Sequence, residues 1–400
     1  MDTKKLKALR DKIDKLDDGI VVLLARRAEA AAEVGKVKDA AARKQNGKSI
    51  TSQTKTGANK DAAKATGESA KAVSESGESR TSALGKHSAP AREAQILRRI
   101  SAKGGKLGKR AMTAIYREII AACLSCESRQ HIAYLGPPGT FSHQAARAFY
   151  GDAADFVPHV SIADAVRETE KDQCHFAMVP LENSTGGTVG ETVDALCTTP
   201  LAVCGEMMMR VRHCLLSRAP DAKDVREIHG HPQALEQCRR WLAVNMPKAQ
   251  TRHSGSTAAA AQLAAKTPRA AAIGSASAAE LYQLPVLAAD IEDSALNTTR
   301  FLILGRPAAL PQTGNDKTSL IMSVREVAGA MHHLLEPFAK HGINMSKLES
   351  RPSRGQMWKY IFLTDIEGHL LDAPVAAALE EVRRRAAFVK ILGSYPKAAS

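Results

Sequence analysis

The feature that most constrains the fold is a repeated junction between a short apolar run and a loop of hydroxyls, amides and glycines. In residues 179–188, VPLENSTGGT, the apolar start gives way to such a loop. The pattern returns in residues 132–142, IAYLGPPGTFS, while in residues 297–301, NTTRF, hydroxyls and an arginine stand at the mouth of the run FLIL. Short buried strands that end in polar loops are where open α/β sheets bind ligands. One junction alone would be read as a turn, but their repetition favours a ligand site.

The central part of the chain is predicted to be an α/β domain. Apolar runs that suit buried strands alternate with helical stretches, which is typical of this architecture. The runs lie at residues 132–135, 176–181, 201–206, 270–273 and 301–304. The sequence contains neither a P-loop nor a dinucleotide-binding GxGxxG, so no nucleotide or other cofactor is expected.

Segments of this region resemble the prephenate dehydratase family across about residues 132–305. They are YLGPPGTFS, VPLENSTGG, the HPQALEQC run from His231, the SGSTAAA run from Ser254, and TTRF. The resemblance implies a domain over residues 131–306 in which two lobes enclose a ligand cleft, similar to type-2 periplasmic binding proteins. It also implies conversion of prephenate to phenylpyruvate, with loss of carbon dioxide and the ring hydroxyl.

The same resemblance implies roles for residues at the junctions. Thr299 would donate a hydrogen bond to the departing hydroxyl, and Arg300 would serve a substrate carboxylate. Because threonine is a poor acid, Thr299 would orient and polarise the leaving group. Loop amides, hydroxyls and helix N-termini suit the two carboxylates of prephenate, and Ser256-Thr257 is either such an N-terminus or simply a helix cap. Further implied cleft residues are Thr140, Ser142, Glu182, Asn183, Ser184 and Asn297.

The N-terminal segment follows a helical period. Apolar residues recur at spacings of three and four, at Leu6, Leu9, Ile13, Leu16, Ile20 and Leu23. This spacing predicts an amphipathic helix over about residues 3–40, with Arg27 on its apolar stripe and Lys38 close to it. Buried cations need an anion, either a protein carboxylate or a ligand, unless the side chains extend to water. Arg10 lies about 100° round the helix from Arg27, so it would more easily serve a site on a neighbouring chain.

The pattern RxxIDxxDxxIxxLLxxR, from Arg10 to Arg27, followed by VGKVK, resembles the all-helical chorismate mutases. The second and third helices of that family match residues 90–100 and 109–127. The resemblance implies an all-α domain over residues 1–128 that forms dimers, with the first helices crossing between subunits.

This second resemblance implies a site made of charged residues around chorismate. Arg10 of the partner subunit and Arg27 would bind the two carboxylates. Lys38 and Glu127 would hydrogen-bond the ether oxygen whose bond breaks, so Glu127 must be protonated in order to donate. The rearrangement needs no nucleophile, because pre-placed charges around a compact conformer suffice. The other implied residues are Arg92, which assists binding, and Glu93, which holds the ring hydroxyl.

Residues 39–88 are a low-complexity insert between the first and second of these helices. The insert is rich in Ala, Ser, Thr, Lys and Gly and has no apolar period, so it is predicted to be a disordered loop. A tether for nucleic acid or a partner is the alternative interpretation.

The C-terminal region is predicted to be a regulatory domain over residues 317–396, after a linker at residues 307–316. A strand-helix-strand-strand-helix-strand order predicts a ferredoxin-like fold. Two motifs resemble the phenylalanine-binding ACT domains, which implies inhibition by phenylalanine bound at a subunit interface. The motif residues are Gly329, Ala330, Met331, Glu349, Ser350, Arg351 and Pro352.

Charge and composition narrow the classes of partner. The net charge of +14 would suit nucleic acid, a membrane surface or small anions. Aromatic residues make up only 4% and the positive residues are dispersed, which favours small dianions over nucleic acid. The chain has no apolar run of membrane-spanning length, and its N-terminus lacks the apolar core of a secretory signal, so we expect a cytoplasmic protein that does not bind membranes.

Cysteine and histidine usage predicts neither disulfides nor a metal. The seven cysteines are an odd number, and the CxxC at Cys123 and Cys126 lies in a helical pattern without a second pair. His229 and His231 could share one side of a strand but lack an obvious third ligand.

These parts together imply a bifunctional enzyme of phenylalanine synthesis that acts on chorismate and prephenate. The enzyme would bind phenylalanine as an inhibitor through its last domain and would form a homodimer. Two alternatives stay open. A non-catalytic ligand sensor would share the cleft and the ACT domain but would leave Arg27, Lys38 and TTRF without a purpose. An arogenate-preferring dehydratase would differ only in whether the substrate carries an amino or a keto group.

Overall fold

The computed structural model describes residues 12, 15–37, 90–103, 105–127, 129–307, 311–352 and 360–398. Contacts group the chain into two units: one contains residues 15–37 and the end of the third helix, and the other contains the chain from Gln130 onward together with Ala89–Ala121. No helix among the described residues is long and apolar enough to cross a membrane.

The described N-terminal residues form the first helix where the periodicity predicts it, and the second and third helices where the family resemblance implies them. Helix α1 covers residues 15–37, α2 Pro90–Ser101 and α3 Gly108–Glu127. The apolar stripe of α1 is exposed in this single chain: Leu16, Ile20 and Leu23 are 59%, 52% and 64% accessible. The insert of residues 39–88 lies outside the described residues, so its predicted disorder stays a prediction.

The α/β region forms two lobes, as predicted. The first lobe contains β1 (His131–Leu135), α4 (Phe141–Tyr150), β2 (Asp155–His159), α5 (Ile162–Glu170), β3 (Phe176–Asn183), β4 (Gly187–Thr188), α6 (Gly190–Thr198) and β5 (Ala202–Arg210). The second contains β6 (Cys214–Ser217), β7 (Glu227–Gly230), α7 (Pro232–Gln237), α8 (Arg239–Asn245), β8 (Gln250–His253), α9 (Thr257–Lys266), β9 (Ala270–Gly274), α10 (Ala276–Leu281) and β10 (Val286–Ala288). The chain then returns to the first lobe as β11 (Thr298–Gly305).

Each lobe has its own mixed sheet. The first sheet has the order β2-β1-β3-β11-β5 with β4 beside β3, and the second has the order β10-β6-β9-β7-β8. Strand β11 runs antiparallel between β3 and β5. Its position in the middle of the first sheet places the TTRF motif next to the end of β3.

The C-terminal region has the predicted ferredoxin-like order. It comprises β12 (Asp316–Ser323), α11 (Ala330–Lys340), β13 (Met345–Pro352), β14 (Tyr360–Glu367), α12 (Ala373–Arg385) and β15 (Phe388–Pro396). The strands form one antiparallel sheet of order β13-β14-β12-β15. Ile321, Leu363 and Leu392 belong to the same buried apolar cluster as Val203 and Leu302 of the first lobe, so the two sheets share a core.

Candidate active site

A cleft of about 860 Å³ is lined by both lobes. At one edge the loop before α4 contacts the second lobe, where the Tyr282 hydroxyl donates to the Pro138 carbonyl at 2.5 Å. The polar residues that line the cleft include Thr140, Ser142, His159, Asn183, Thr188, Glu191, His213, His231, Gln233, Gln237, Ser256, Thr257 and Thr299. The cleft therefore presents hydroxyls, amides, imidazoles and the Glu191 carboxylate to a ligand.

The N-termini of α4, α6 and α9 line the cleft and give it positive electrostatic potential. Thr140 caps α4 and Ser256 caps α9, each accepting a hydrogen bond from a main-chain N–H in the first turn. Both caps line the cleft, and so does Val189 at the start of α6. Among the described residues that line the cleft there is no lysine or arginine. A bound anion would therefore be held by N–H groups, hydroxyls and helix dipoles, and the chain's excess positive charge is not concentrated here.

Asn183 and Thr299 form the polar centre of the first lobe. They are register partners on β3 and β11, and the Asn183 Nδ2 donates to the Thr299 Oγ1 at 2.9 Å and to the Asn297 Oδ1 at 2.8 Å. Among the hydrogen bonds of the described residues, the Thr299 hydroxyl accepts from Asn183 and donates to none. Since a hydroxyl has one proton to give, the proton of Thr299 is available to a molecule in the cleft.

The neighbouring pair, Glu182 and Arg300, lies on the opposite face of the same two strands. These residues are also register partners, and neither lines the cleft. The Arg300 guanidinium is buried and donates to Glu206 at 2.8 Å, to Asp365 at 2.5 Å and to Tyr395 at 3.0 Å. In this structure Arg300 therefore pairs with protein carboxylates on the face away from the cleft, because successive side chains of a strand point to opposite faces. This placement does not support its predicted contact with a substrate carboxylate.

Glu182 and Ser184 also depart from their predicted positions. The Glu182 carboxylate accepts from Lys347 Nζ at 2.7 Å. The Ser184 hydroxyl donates to the Leu296 carbonyl at 3.0 Å and accepts from the Thr298 N–H. Neither side chain reaches the cleft. Of the predicted residues, Thr140, Ser142, Asn183 and Thr299 line it, and Asn297 is buried behind Asn183.

Sequence analysis did not assign roles to His213 and Gln237. Gln237 belongs to the HPQALEQC segment, so the motif itself carried the signal. His213 lies between β5 and β6 and had no motif to mark it. His231, for which the sequence predicts no metal, caps α7 by accepting the Gln233 N–H at its Nδ1.

The two motifs of the C-terminal domain lie in different surroundings. One lines a groove, and the other contacts the first lobe. Gly329 (φ 77°), Ala330 and Met331 line an open groove of about 490 Å³ at the start of α11. The Glu349 carboxylate accepts from the Thr188 hydroxyl and from Lys347 Nζ at 2.9 Å. Burial alone would raise the pKa of Glu349, but these partners outweigh it and hold the pKa below its usual value.

Arg351 continues the same interface. Its guanidinium donates to the Gly190 carbonyl at the start of α6, at 3.0 Å. Ser350 and Pro352 are exposed, because β13 alternates between a half-buried and an exposed face. Glu349 and Arg351 therefore contact the rim of the cleft directly, through Thr188 and the residue before Glu191.

Comparisons with known proteins cover the whole length of the chain. A chorismate mutase type II model matches residues 9–128, a prephenate dehydratase model matches residues 132–309 and an ACT domain model matches residues 318–384. The bifunctional chorismate mutase/prephenate dehydratase of Aquifex aeolicus is 37% identical over 99% of this chain and 99% of its own. This chain belongs to the bifunctional chorismate mutase/prephenate dehydratases.

Solved structures resemble about two thirds of this family member. The prephenate dehydratase of Arthrobacter aurescens in complex with L-Phe is 35% identical, with a TM-score of 0.62, and the match covers 66% of this chain and 90% of that one. GqqA, described as a novel type of quorum quenching acylase, is 34% identical with a TM-score of 0.62, over 67% of this chain and 98% of that one.

The mutase half of this bifunctional chorismate mutase/prephenate dehydratase is the part that the described residues cover least. Arg27 on α1 and Glu93 on α2 are half-buried. Arg10, Lys38 and the side chains of Arg92 and Glu127 lie outside the described residues. Their roles toward chorismate remain predictions.

Proposed function

We propose that the chain rearranges chorismate to prephenate in residues 1–128 and converts prephenate to phenylpyruvate in the cleft of residues 131–306. After a linker at residues 307–316, the ACT domain of residues 317–396 binds phenylalanine, and this binding inhibits the dehydratase reaction. The observation that carries the dehydratase assignment is the Thr299 hydroxyl, fixed by Asn183 and facing a cleft rimmed by helix N-termini. No cofactor enters either reaction.

The cleft's chemistry suits expulsion of hydroxide from a dianion. N–H groups and hydroxyls around the caps Thr140 and Ser256 would hold the carboxylates. The bond to one carboxylate breaks, its electron pair moves into the ring, and the ring carbon–oxygen bond breaks. Thr299 hydrogen-bonds the departing hydroxide, which leaves as water after it takes a proton from the solvent. Formation of the aromatic ring supplies the driving force, so a polarising donor is sufficient.

Acyl hydrolysis is less well supported by the same cleft. A hydroxyl nucleophile needs an adjacent base. Among the hydrogen bonds of the described cleft residues, Thr140 donates to the Leu135 carbonyl and no hydroxyl donates to an imidazole. Thr188 donates to the Glu349 carboxylate, which is already paired with Lys347. The arrangement favours a hydrogen-bond donor over a nucleophile.

For the mutase, the proposal keeps the residues implied by the sequence. Arg10 of the partner subunit, together with Arg27, would hold the carboxylates. The remaining proposed residues are Lys38, Arg92, Glu93 and Glu127. A homodimer would also explain why Leu16, Ile20 and Leu23 are exposed in the single chain, since a second copy of α1 would cover them. We propose that the enzyme acts in the cytoplasm.

A direct assay tests the proposed function. Purified full-length chain is mixed with chorismate, and loss of chorismate and formation of phenylpyruvate are followed with and without phenylalanine. Both reactions should proceed, and phenylalanine should slow the second. Binding of prephenate without turnover would favour the sensor alternative, and a higher kcat/KM for arogenate would favour the arogenate-preferring one.

The contact of Arg351 with Gly190 leads to a prediction about inhibition. Arg351→Ala should keep dehydratase activity but raise the phenylalanine concentration for half-inhibition by roughly 5- to 150-fold, because allosteric coupling is typically about 1–3 kcal/mol. Dose–response curves on full-length protein would measure it. Arg384→Ala, an exposed arginine on α12, is the matched control. Unchanged inhibition in both Arg351→Ala and Ser350→Ala would reject this motif as the sensor.

A further inference from the structure

His213 is a buried imidazole in the crossover between the lobes. It is 1% exposed and lines the cleft. Its Nε2 lies 2.9 Å from the Gln237 Oε1, and its ring meets Phe141 edge to face at 5.3 Å. The proposed dehydratase mechanism gives His213 no role, although its ring is hydrogen-bonded to a residue of the cleft.

Gln237, Asn297, Asn183 and Thr299 form a hydrogen-bond network with His213. Main-chain N–H groups determine which side-chain amide atom is oxygen and which is nitrogen. The Asn183 Oδ1 accepts from the N–H groups of Thr185 at 3.1 Å and Gly186 at 2.8 Å. A main-chain N–H can only donate, so this atom must be the oxygen. The Asn183 Nδ2 is therefore the donor to both Thr299 and Asn297.

The side-chain amides of Asn297 and Gln237 are oriented in turn, up to His213. Since the Asn297 Oδ1 accepts from Asn183, its Nδ2 is the donor to the Gln237 Oε1, at 3.0 Å. The Gln237 Nε2 correspondingly donates to the Thr185 hydroxyl at 2.6 Å. An oxygen at Oε1 only accepts, so His213 must carry its hydrogen on Nε2.

The surroundings of His213 suit that neutral tautomer. Burial lowers the pKa of His213, although Gln237 and Glu292 act in the opposite direction. Glu292 accepts from the His213 main-chain N–H at 2.9 Å, not from the ring. Among the described residues, Nδ1 is buried without a hydrogen-bond partner, so a proton placed there would find no acceptor.

We propose that His213 is a positioning residue for the dehydratase. Its Nε2–H donates to the Gln237 side-chain carbonyl and so fixes one end of a series of hydrogen bonds that runs through Gln237, Asn297, Asn183 and Thr299. The main-chain N–H groups of Thr185 and Gly186 fix this series at Asn183. This anchoring keeps the Thr299 proton directed into the cleft. The inference rests on the proposed dehydratase function. It assigns His213 no contact with the substrate.

Two substitutions separate positioning from packing. His213→Phe keeps a ring against Phe141 but removes the donor, so dehydratase kcat should fall roughly tenfold while KM changes less than about twofold. His213→Gln restores an N–H near the Nε2 position and should recover most of the lost kcat. The melting temperature of each variant reports whether the unit that contains the cleft is folded. Wild-type kcat in His213→Phe, or equal impairment in both variants, would overturn the proposal.

A second measurement uses the unmodified protein. ¹⁵N NMR of histidine-labelled enzyme at neutral pH should show a protonated Nε2 and a bare Nδ1 for His213, and the opposite tautomer would overturn the network. This readout does not depend on turnover. If wild-type protein formed no phenylpyruvate from prephenate, the proposed function would fail, whereas an Nδ1-protonated ring would count against the positioning role alone.

Discussion

Replacing Thr299 with alanine is expected to abolish phenylpyruvate formation while the mutase reaction continues at the wild-type rate. The substitution removes the hydroxyl that Asn183 orients toward the cleft, and positioned donors of this kind contribute about 10²–10⁴-fold to a rate. The rates would be measured separately, by phenylpyruvate formation from prephenate and by loss of chorismate.

Matched variants on the same strand sharpen this test. Thr299→Ser keeps a hydroxyl and should keep measurable activity. Thr298→Ala removes a neighbouring hydroxyl that does not line the cleft and should have little effect. Phenylpyruvate formation by Thr299→Ala at near the wild-type rate would remove Thr299 from the mechanism.

Arg300→Met is expected to lower stability strongly without weakening prephenate binding. Arg300 and Lys317 balance Glu206 and Asp365 in a buried group that joins the first lobe to the ACT sheet. Removing one member of such a group leaves uncompensated charge and costs about 3–5 kcal/mol. The melting temperature of this unit should fall by roughly 10 °C.

The matched control is Arg306→Met. Arg306 pairs with Asp172 at 2.6 Å, but its side chain is 48% exposed against 6% for Arg300. An exposed ion pair contributes about 0–1 kcal/mol, so this variant should melt close to wild type. Calorimetry and the KM for prephenate would decide the role of Arg300. A large rise in KM at unchanged melting temperature would return Arg300 to substrate binding.

The placement of Arg300 and Glu182 away from the cleft has a single physical source. From sequence, TTRF and LEN were read as loops at strand ends, where neighbouring side chains can converge on one ligand. In the structure β11 begins at Thr298 and β3 continues to Asn183, so both motifs obey the two-residue alternation of a strand. Asn183 and Thr299 then face the cleft together, and their neighbours face the ACT domain together.

The residues that sequence reasoning missed are joined only by tertiary structure. Gln237 is 24 positions from His213 and 60 from Asn297, and no local period relates them. The elements themselves were predictable, because apolar runs and the ferredoxin-like order leave local signals. The apolar stripe of α1 was also predictable as a pattern, but periodicity does not tell whether the covering surface comes from the same chain or from another copy.

The union of the first-lobe sheet with the ACT sheet has a consequence for how this enzyme can be divided. A fragment that stopped after β11 would leave the Arg300 guanidinium and the Glu206 carboxylate facing water, and would uncover the apolar side of Val203 and Leu302. The strand that carries Thr299 packs against the ACT sheet. The ACT domain therefore completes the core of the dehydratase domain, and its removal would expose buried parts of that core.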